Sequence, residues 1–203
     1  MSGLLNSTGA VSGILGTTVG TPSSNAADIG AGVLPVGVTG GSGLANVPTG
    51  VTHYDMWRIT TGFSGDHNPV SANWERADVP PGFGLKGAAM SVSSGYWTFP
   101  VTGLWLIFFY ARYYSNNNAG YLNLLFNTTT DNSTYALAAP ASGMSGLAGA
   151  YRQLTAHHYI FDVTSTTDCK CAYQISHAAA SNEIAADTNN QTSGMTFIRL
   201  GDS

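Results

Sequence analysis

From residue 51 onward the chain alternates between short apolar stretches and clusters of turn formers. "YDMWRIT" (54–60) sets Tyr54, Met56 and Arg58 on one face and Trp57 and Ile59 on the other, the period-2 signature of a strand. "GDHNPVSANWERADVPPGFG" (65–84) is dense in turn residues. Further strands are predicted at Trp97–Phe99, Leu104–Tyr114, Tyr121–Asn127, Tyr135–Ala138, Gln153–Val163, Cys169–His177 and Gly194–Leu200. Clusters such as "SNNNAG", "TTTDNS" and "TSTTD" separate them. "SHAAASNEIAAD" (176–187) reads equally as a helix or a polar loop. Short strands at a spacing of roughly 8–12 residues predict an all-β, antiparallel β-sandwich or barrel.

One stretch breaks the alternation. Leu104–Tyr110 is seven bulky apolar residues in a row. It is too short to span a bilayer as a helix, which needs about 20 apolar residues, and Thr102, Gly103 and Arg112 bracket it. A strand with no polar positions must be covered on both faces. One face fits the interior of a sandwich. The other would meet water in a single antiparallel sandwich, so copies of the same protein are expected to cover it.

The pattern changes near residue 50. Residues 1–50 hold twelve of the 25 glycines, no aromatic residue and one charge, Asp28. Such a segment cannot bury enough surface to offset its own ordering entropy. Yet Leu4, Leu5, Val11, Ile14, Leu15 and Val19 make it too aliphatic for a Gly/Ser linker. Residues 1–50 are therefore expected to be an extended, Gly-rich N-terminal arm that lies on a partner, and 51–203 the sandwich domain.

Composition narrows the function classes. Charged residues are 9 % of the chain, against roughly 25 % in an average soluble domain, and the net charge is −4. There is no basic surface for nucleic acid. "MSGLLNSTGAVSG" lacks the basic residues and apolar core of a secretory signal, so the Asn-x-Ser/Thr triplets at Asn6, Asn127 and Asn132 read as chance. Cys169 and Cys171, two apart on a strand, would form a strained bridge, and free thiols in a reducing compartment are expected.

The sequence carries no enzyme signature. "GMSGL" around Ser145 has the wrong spacing for a nucleophile elbow, and "GSGLAN" (41–46) lacks the third glycine of a dinucleotide loop. No paired carboxylates stand in a recognisable arrangement. His157 and His158 are adjacent and face opposite sides of a strand. Cys169, Cys171 and His177 lack an evident fourth zinc ligand. No metal, cofactor or catalytic residue is assigned. Asp66-His67-Asn68 and Asp131-Asn132 read as Asx-turns. Trp57 and Trp74 fit either core filling, the favoured reading, or a sugar-stacking platform. Arg58, Glu75 and Arg76 read as surface ion pairs of small value.

Gly95, Trp97, Pro100, Gly103, Trp105 and Ile107 reproduce a spacing that resembles the superfamily of complement globular heads and tumour-necrosis-factor-like domains. "SGMTFIRLG" at the end resembles that family's last strand, which runs down the centre of a trimer. The resemblance covers roughly residues 54–203 and implies a jelly roll that forms a homotrimer. Together with the two-sided burial of Leu104–Tyr110, it places the trimer contact on Trp105, Ile107, Phe109, Tyr113, Phe197 and Leu200. A narrower resemblance links "STGAVSGILGTTVGTP" and a "TFIRLG" ending to structural proteins of marine tailed bacteriophages. It implies a virion component made in the host cytoplasm, bound to other capsid or tail proteins, with capsid decoration or cement as the expected role. The alternative is a head or tail fibre tip, an adhesin binding host-surface glycans at its loops.

Overall fold

The computed structural model describes residues 50–78, 84–115, 121–144, 151–177 and 182–203. The arm positions Leu4, Leu5, Val11, Ile14, Leu15 and Val19 lie outside them. Every regular element among the described residues is a strand, and every pairing is antiparallel. The domain is an all-β jelly-roll sandwich.

Its larger sheet is built around β7 (Gly103–Ser115). One edge of β7 pairs along its whole length with β10 (Tyr151–Val163). The other edge pairs first with β13 (Gly194–Gly201) and then, from Tyr113, with the two-residue β12 (Glu183–Ile184). Beyond β13 lie β1 (Tyr54–Ile59), β3 (Trp74–Arg76) and β4 (Leu85–Lys86); β2 (Phe63–Ser64) flanks β12. The smaller sheet runs β5-β6-β11-β8-β9, made of Ser91–Ser93, Tyr96–Thr98, Lys170–His177, Tyr121–Thr129 and Ala136–Met144. Pro140 sits on β9, the sheet's edge, where its missing N–H leaves no inner ladder broken.

The Gly95–Ile107 spacing now has a mechanical explanation. Ser94 and Gly95 both take positive φ (50° and 85°), which makes the β5–β6 connection a two-residue hairpin of the type whose twist suits its strands. Pro100 lies in the turn between β6 and β7. Gly103 opens β7 at φ 124°, where a Cβ would run into the Gly201 carbonyl. Trp97, Trp105 and Ile107 are 0–1 % exposed and fill the core. Around them the aromatic rings interlock: Trp97 packs against Trp57 at 5.0 Å, Trp74 at 5.2 Å and Phe197 at 5.1 Å, and Phe109 stacks on Phe126 at 5.1 Å.

The undecided stretch 176–187 holds the end of β11 and β12, with no helix among its described residues. Five short strands, β2, β3, β4, β5 and β12, were not anticipated.

Candidate functional site

Because β7 is extended, its residues alternate sides of the larger sheet. Trp105, Ile107, Phe109, Ala111 and Tyr113 point inward and are 0–1 % exposed, as is Phe197 on β13. This corrects the expected trimer contact. Trp105, Ile107, Phe109, Tyr113 and Phe197 are buried inside one copy of the domain and present no surface to another. Leu200, the sixth, is 52 % exposed near the end of β13.

The opposite face carries the even-numbered set. Strand register aligns Ile160, Leu106, Ile198 and Tyr54 in one row across β10, β7, β13 and β1. The next row is His158, Phe108, Thr196 and Met56. Ile160 and Phe108 stand well exposed, the His158 ring lies 5.9 Å from that of Phe108, and Leu154 is open one row beyond Ala156 and Tyr110. The result is an apolar face four strands wide on the outside of the sandwich. Burial pushes the Tyr110 phenol up to about 12, and its oxygen accepts a hydrogen bond from Gln191 Nε2 at 3.0 Å.

Charge borders this face. Arg58, level with Tyr110 and Gly194, is buried and donates to Glu75 Oε2 at 2.9 Å and to Asp78. The expectation of a small surface pair is therefore corrected. Arg76 donates to Asp55 Oδ1 at 2.8 Å and lies 4.5 Å above the Trp57 ring, and Asp55 is only 1 % exposed. Trp57 and Trp74 pack against the core, in agreement with core filling.

At the far end of β7 the sheet forks as β13 gives way to β12. The buried Ser193 hydroxyl closes the fork, accepting from Arg112 N at 3.0 Å and donating to the Ala185 carbonyl at 2.6 Å. A polar cavity of about 430 Å³ opens there, lined by Arg112, Tyr114, Arg152, Glu183, Asp187 and Thr192. In the sequence Arg112 marks only the end of the apolar run and none of these stands out as a site residue, because they come from separate stretches of chain.

The candidate chemical groups do not converge. His157 and His158 take opposite sides of β10, against Phe109 and Phe108. Cys169 and Cys171 are free and fully buried, and burial raises the Cys171 thiol well above its ordinary value. Among the described residues no group of three His, Cys, Asp or Glu side chains is placed to hold a metal ion. Asp131 forms the expected Asx-turn: its Oδ1 accepts from Thr129 Oγ1 at 2.7 Å, Thr134 N at 2.7 Å and Ser133 N at 2.9 Å, which holds its carboxyl well below the usual range. Asp66 instead reaches across to β11, accepting from His177 N at 2.6 Å.

No protein-family model and no curated protein matches the chain. Solved structures do. Murine APRIL at pH 5.0 aligns with a TM-score of 0.51 and 9 % identity, over 73 % of this chain and 99 % of that one. Murine APRIL at pH 8.5 gives 0.50 and 11 % over the same shares. Eiger TNF from S. frugiperda gives 0.50 and 12 %, over 74 % of this chain and 92 % of that one. At such identity the likeness establishes the fold: a TNF-like jelly roll.

Proposed function

We propose that this chain is a non-enzymatic structural protein that assembles as a homotrimer through the outer face of its larger sheet. The carrying observation is the apolar face of Ile160, Leu106, Ile198, Tyr54, Phe108 and Met56, four strands wide and bordered by charge. In water such a face is a liability, and copies of the same chain remove it most simply. The TNF-like fold agrees with this reading, because the sequence resemblance implies a trimer built on the same strands. Catalysis finds no support in the scattered His, Cys and acidic side chains.

The finer part of the proposal is a virion role. Residues 1–50 would tie the trimer to a capsid or tail surface, most simply as a decoration or cement protein made in the host cytoplasm. Its support is the low charge content, the aliphatic and Gly-rich composition of residues 1–50, and the resemblance of that segment to tailed-phage structural proteins. Three arms on one trimer would bind with avidity far above that of one.

Light scattering on the full chain tests the first part: a mass of three chains supports it and a monomer overturns it. Deleting residues 2–50 tests the second. The truncated protein should remain a trimer and fail to join particles; full occupancy without the arm would end the arm hypothesis.

A further inference from the structure

We propose that the outer face of the smaller sheet carries a binding site for one neutral sugar unit. The site is a notch of about 170 Å³ lined by Asn68, Tyr96, Asn127, Tyr135, Ala172 and Gln174. Register explains it. Tyr96, Ala172 and Asn127 are consecutive members of one row across β6, β11 and β8, and the small Ala172 leaves a gap between two larger neighbours. Gln174 follows two residues along β11, on the same face. The Asp131 turn delivers Tyr135 over Tyr96, with ring centroids 4.8 Å apart and planes inclined at 49°. The chain around Asn68 is fixed on the remaining side by His67 N–H donating to the Ile175 carbonyl and Val70 N–H to the Tyr173 carbonyl, at 2.9 and 2.8 Å.

The chemistry of the walls selects the ligand. No charged side chain lines the notch, so a phosphate, carboxylate or amine would lose hydration without finding a counter-charge. A purely apolar ligand would strand the amides. A pyranose has what both walls require: a face of C–H groups to lie on a tyrosine ring, and neighbouring hydroxyls that donate and accept together. Asn127 Nδ2 donates to Gln174 Oε1 at 3.2 Å, which orients the two amides. Among the described residues Asn127 Oδ1, Gln174 Nε2 and both tyrosine hydroxyls have no protein partner, so an acceptor and donors stand ready around one ring. The volume is well below that of a drug-sized pocket and suits a single sugar. By the usual efficiency of small ligands, one such unit binds with a Kd on the order of 1 mM. The site is on the sheet opposite the proposed subunit contact, so it stands whether or not the chain trimerises.

Saturation-transfer NMR on the full chain, with methyl glycosides of glucose, galactose, mannose and N-acetylglucosamine, tests the site, with sialic acid as the charged comparison. At least one neutral glycoside should take up saturation, strongest on its ring C–H protons. Tyr135→Ala should abolish the transfer, Tyr135→Phe should keep it, and Gln174→Ala should raise Kd about tenfold. In the unaltered protein the side-chain amide resonances of Asn127 and Gln174 should shift on titration, a readout that does not depend on any variant folding. No transfer at about ten times the expected Kd, transfer that survives Tyr135→Ala in a folded protein, amide shifts elsewhere only, or preference for sialic acid would each overturn the proposal.

Discussion

Tyr173 on β11 donates its phenol hydrogen to the main-chain carbonyl of Tyr110 on β7, 3.0 Å away, so a hydrogen bond ties the two sheets through the middle of the sandwich. The ring is fully buried among Trp74 and Phe109. Burial lifts the phenol well above its ordinary value, with the Tyr110 phenol adding to the effect, so it remains a neutral donor. Tyr173→Phe keeps the packing and removes the bond. It should lower unfolding free energy by about 1 kcal/mol, read from urea denaturation, with the oligomeric state unchanged. No measurable loss would mean that the Tyr110 carbonyl is satisfied by its strand partners alone.

Adjacent residues of β7 should behave in opposite ways. Ile107 is 0 % exposed and fills the core. Ile107→Ala should cost about 2–5 kcal/mol of stability while the folded fraction still assembles. Leu106 faces out, between Ile160 and Ile198. Leu106→Asp should turn a trimer into monomers with little change in the stability of the single domain, since a charge there meets water once the copies separate. Light scattering and thermal melts on the two variants separate these outcomes. A trimeric Leu106→Asp protein would move the contact to a different face.

Asp55 makes a third test. Its carboxylate accepts from Arg76 Nε at 2.8 Å and from Met90 N at 2.8 Å, while almost wholly buried. Asp55→Ala strands both donors and should cost about 3–5 kcal/mol in urea unfolding. Asp55→Asn keeps an oxygen for the Met90 N–H but turns its NH2 toward the Arg76 Nε donor. It loses the ion pair and its hydrogen bond while one buried donor stays satisfied, so it should lose less than Asp55→Ala. Equal losses would show that the ion pair, not the Met90 bond, carries the effect.

The parts of this fold that were legible in the sequence have local causes. The Gly95–Ile107 spacing combines a hairpin, a turn and three core side chains within 13 residues, and the turn clusters mark the ends of the long strands. The assignment of β7's faces failed for a physical reason. In Leu104–Tyr110 both alternating sets are apolar, so residue type does not distinguish inside from outside. The distinguishing signal stood just beyond the run: Arg112 shares a parity with Leu104, Leu106, Phe108 and Tyr110, which marks that set as the outer one. The sugar notch had no local signature, because Asn68, Tyr96, Asn127, Tyr135 and Gln174 meet only through the sheet register. Ion pairing of Arg58, Glu75 and Arg76 was legible. The burial of Arg58 and the acids Asp78 and Asp55 were not, since these partners stand 20 and 21 residues away from Arg58 and Arg76.

His177 gives the domain a predictable dependence on pH. It is 7 % exposed at the end of β11, and neither ring nitrogen has a well-formed hydrogen bond among the described residues. Burial lowers its pKa from 6.5 and the nearby His67 lowers it further, while the Asp66 carboxylate and the Gly65 carbonyl pull the other way. The folded protein therefore resists the proton that the unfolded chain accepts near pH 6.5. The unfolded state binds more protons below that point, so stability held above pH 6.5 is lost as pH falls through the window between 6.5 and the depressed folded value. His53, lowered by burial and by Arg199, acts with the same sign. Melting temperature should thus drop between about pH 7.5 and about pH 5, and His177→Gln should flatten that drop without removing it. An unchanged slope in His177→Gln would assign the pH dependence to His53 or to carboxylates and remove His177 from the account.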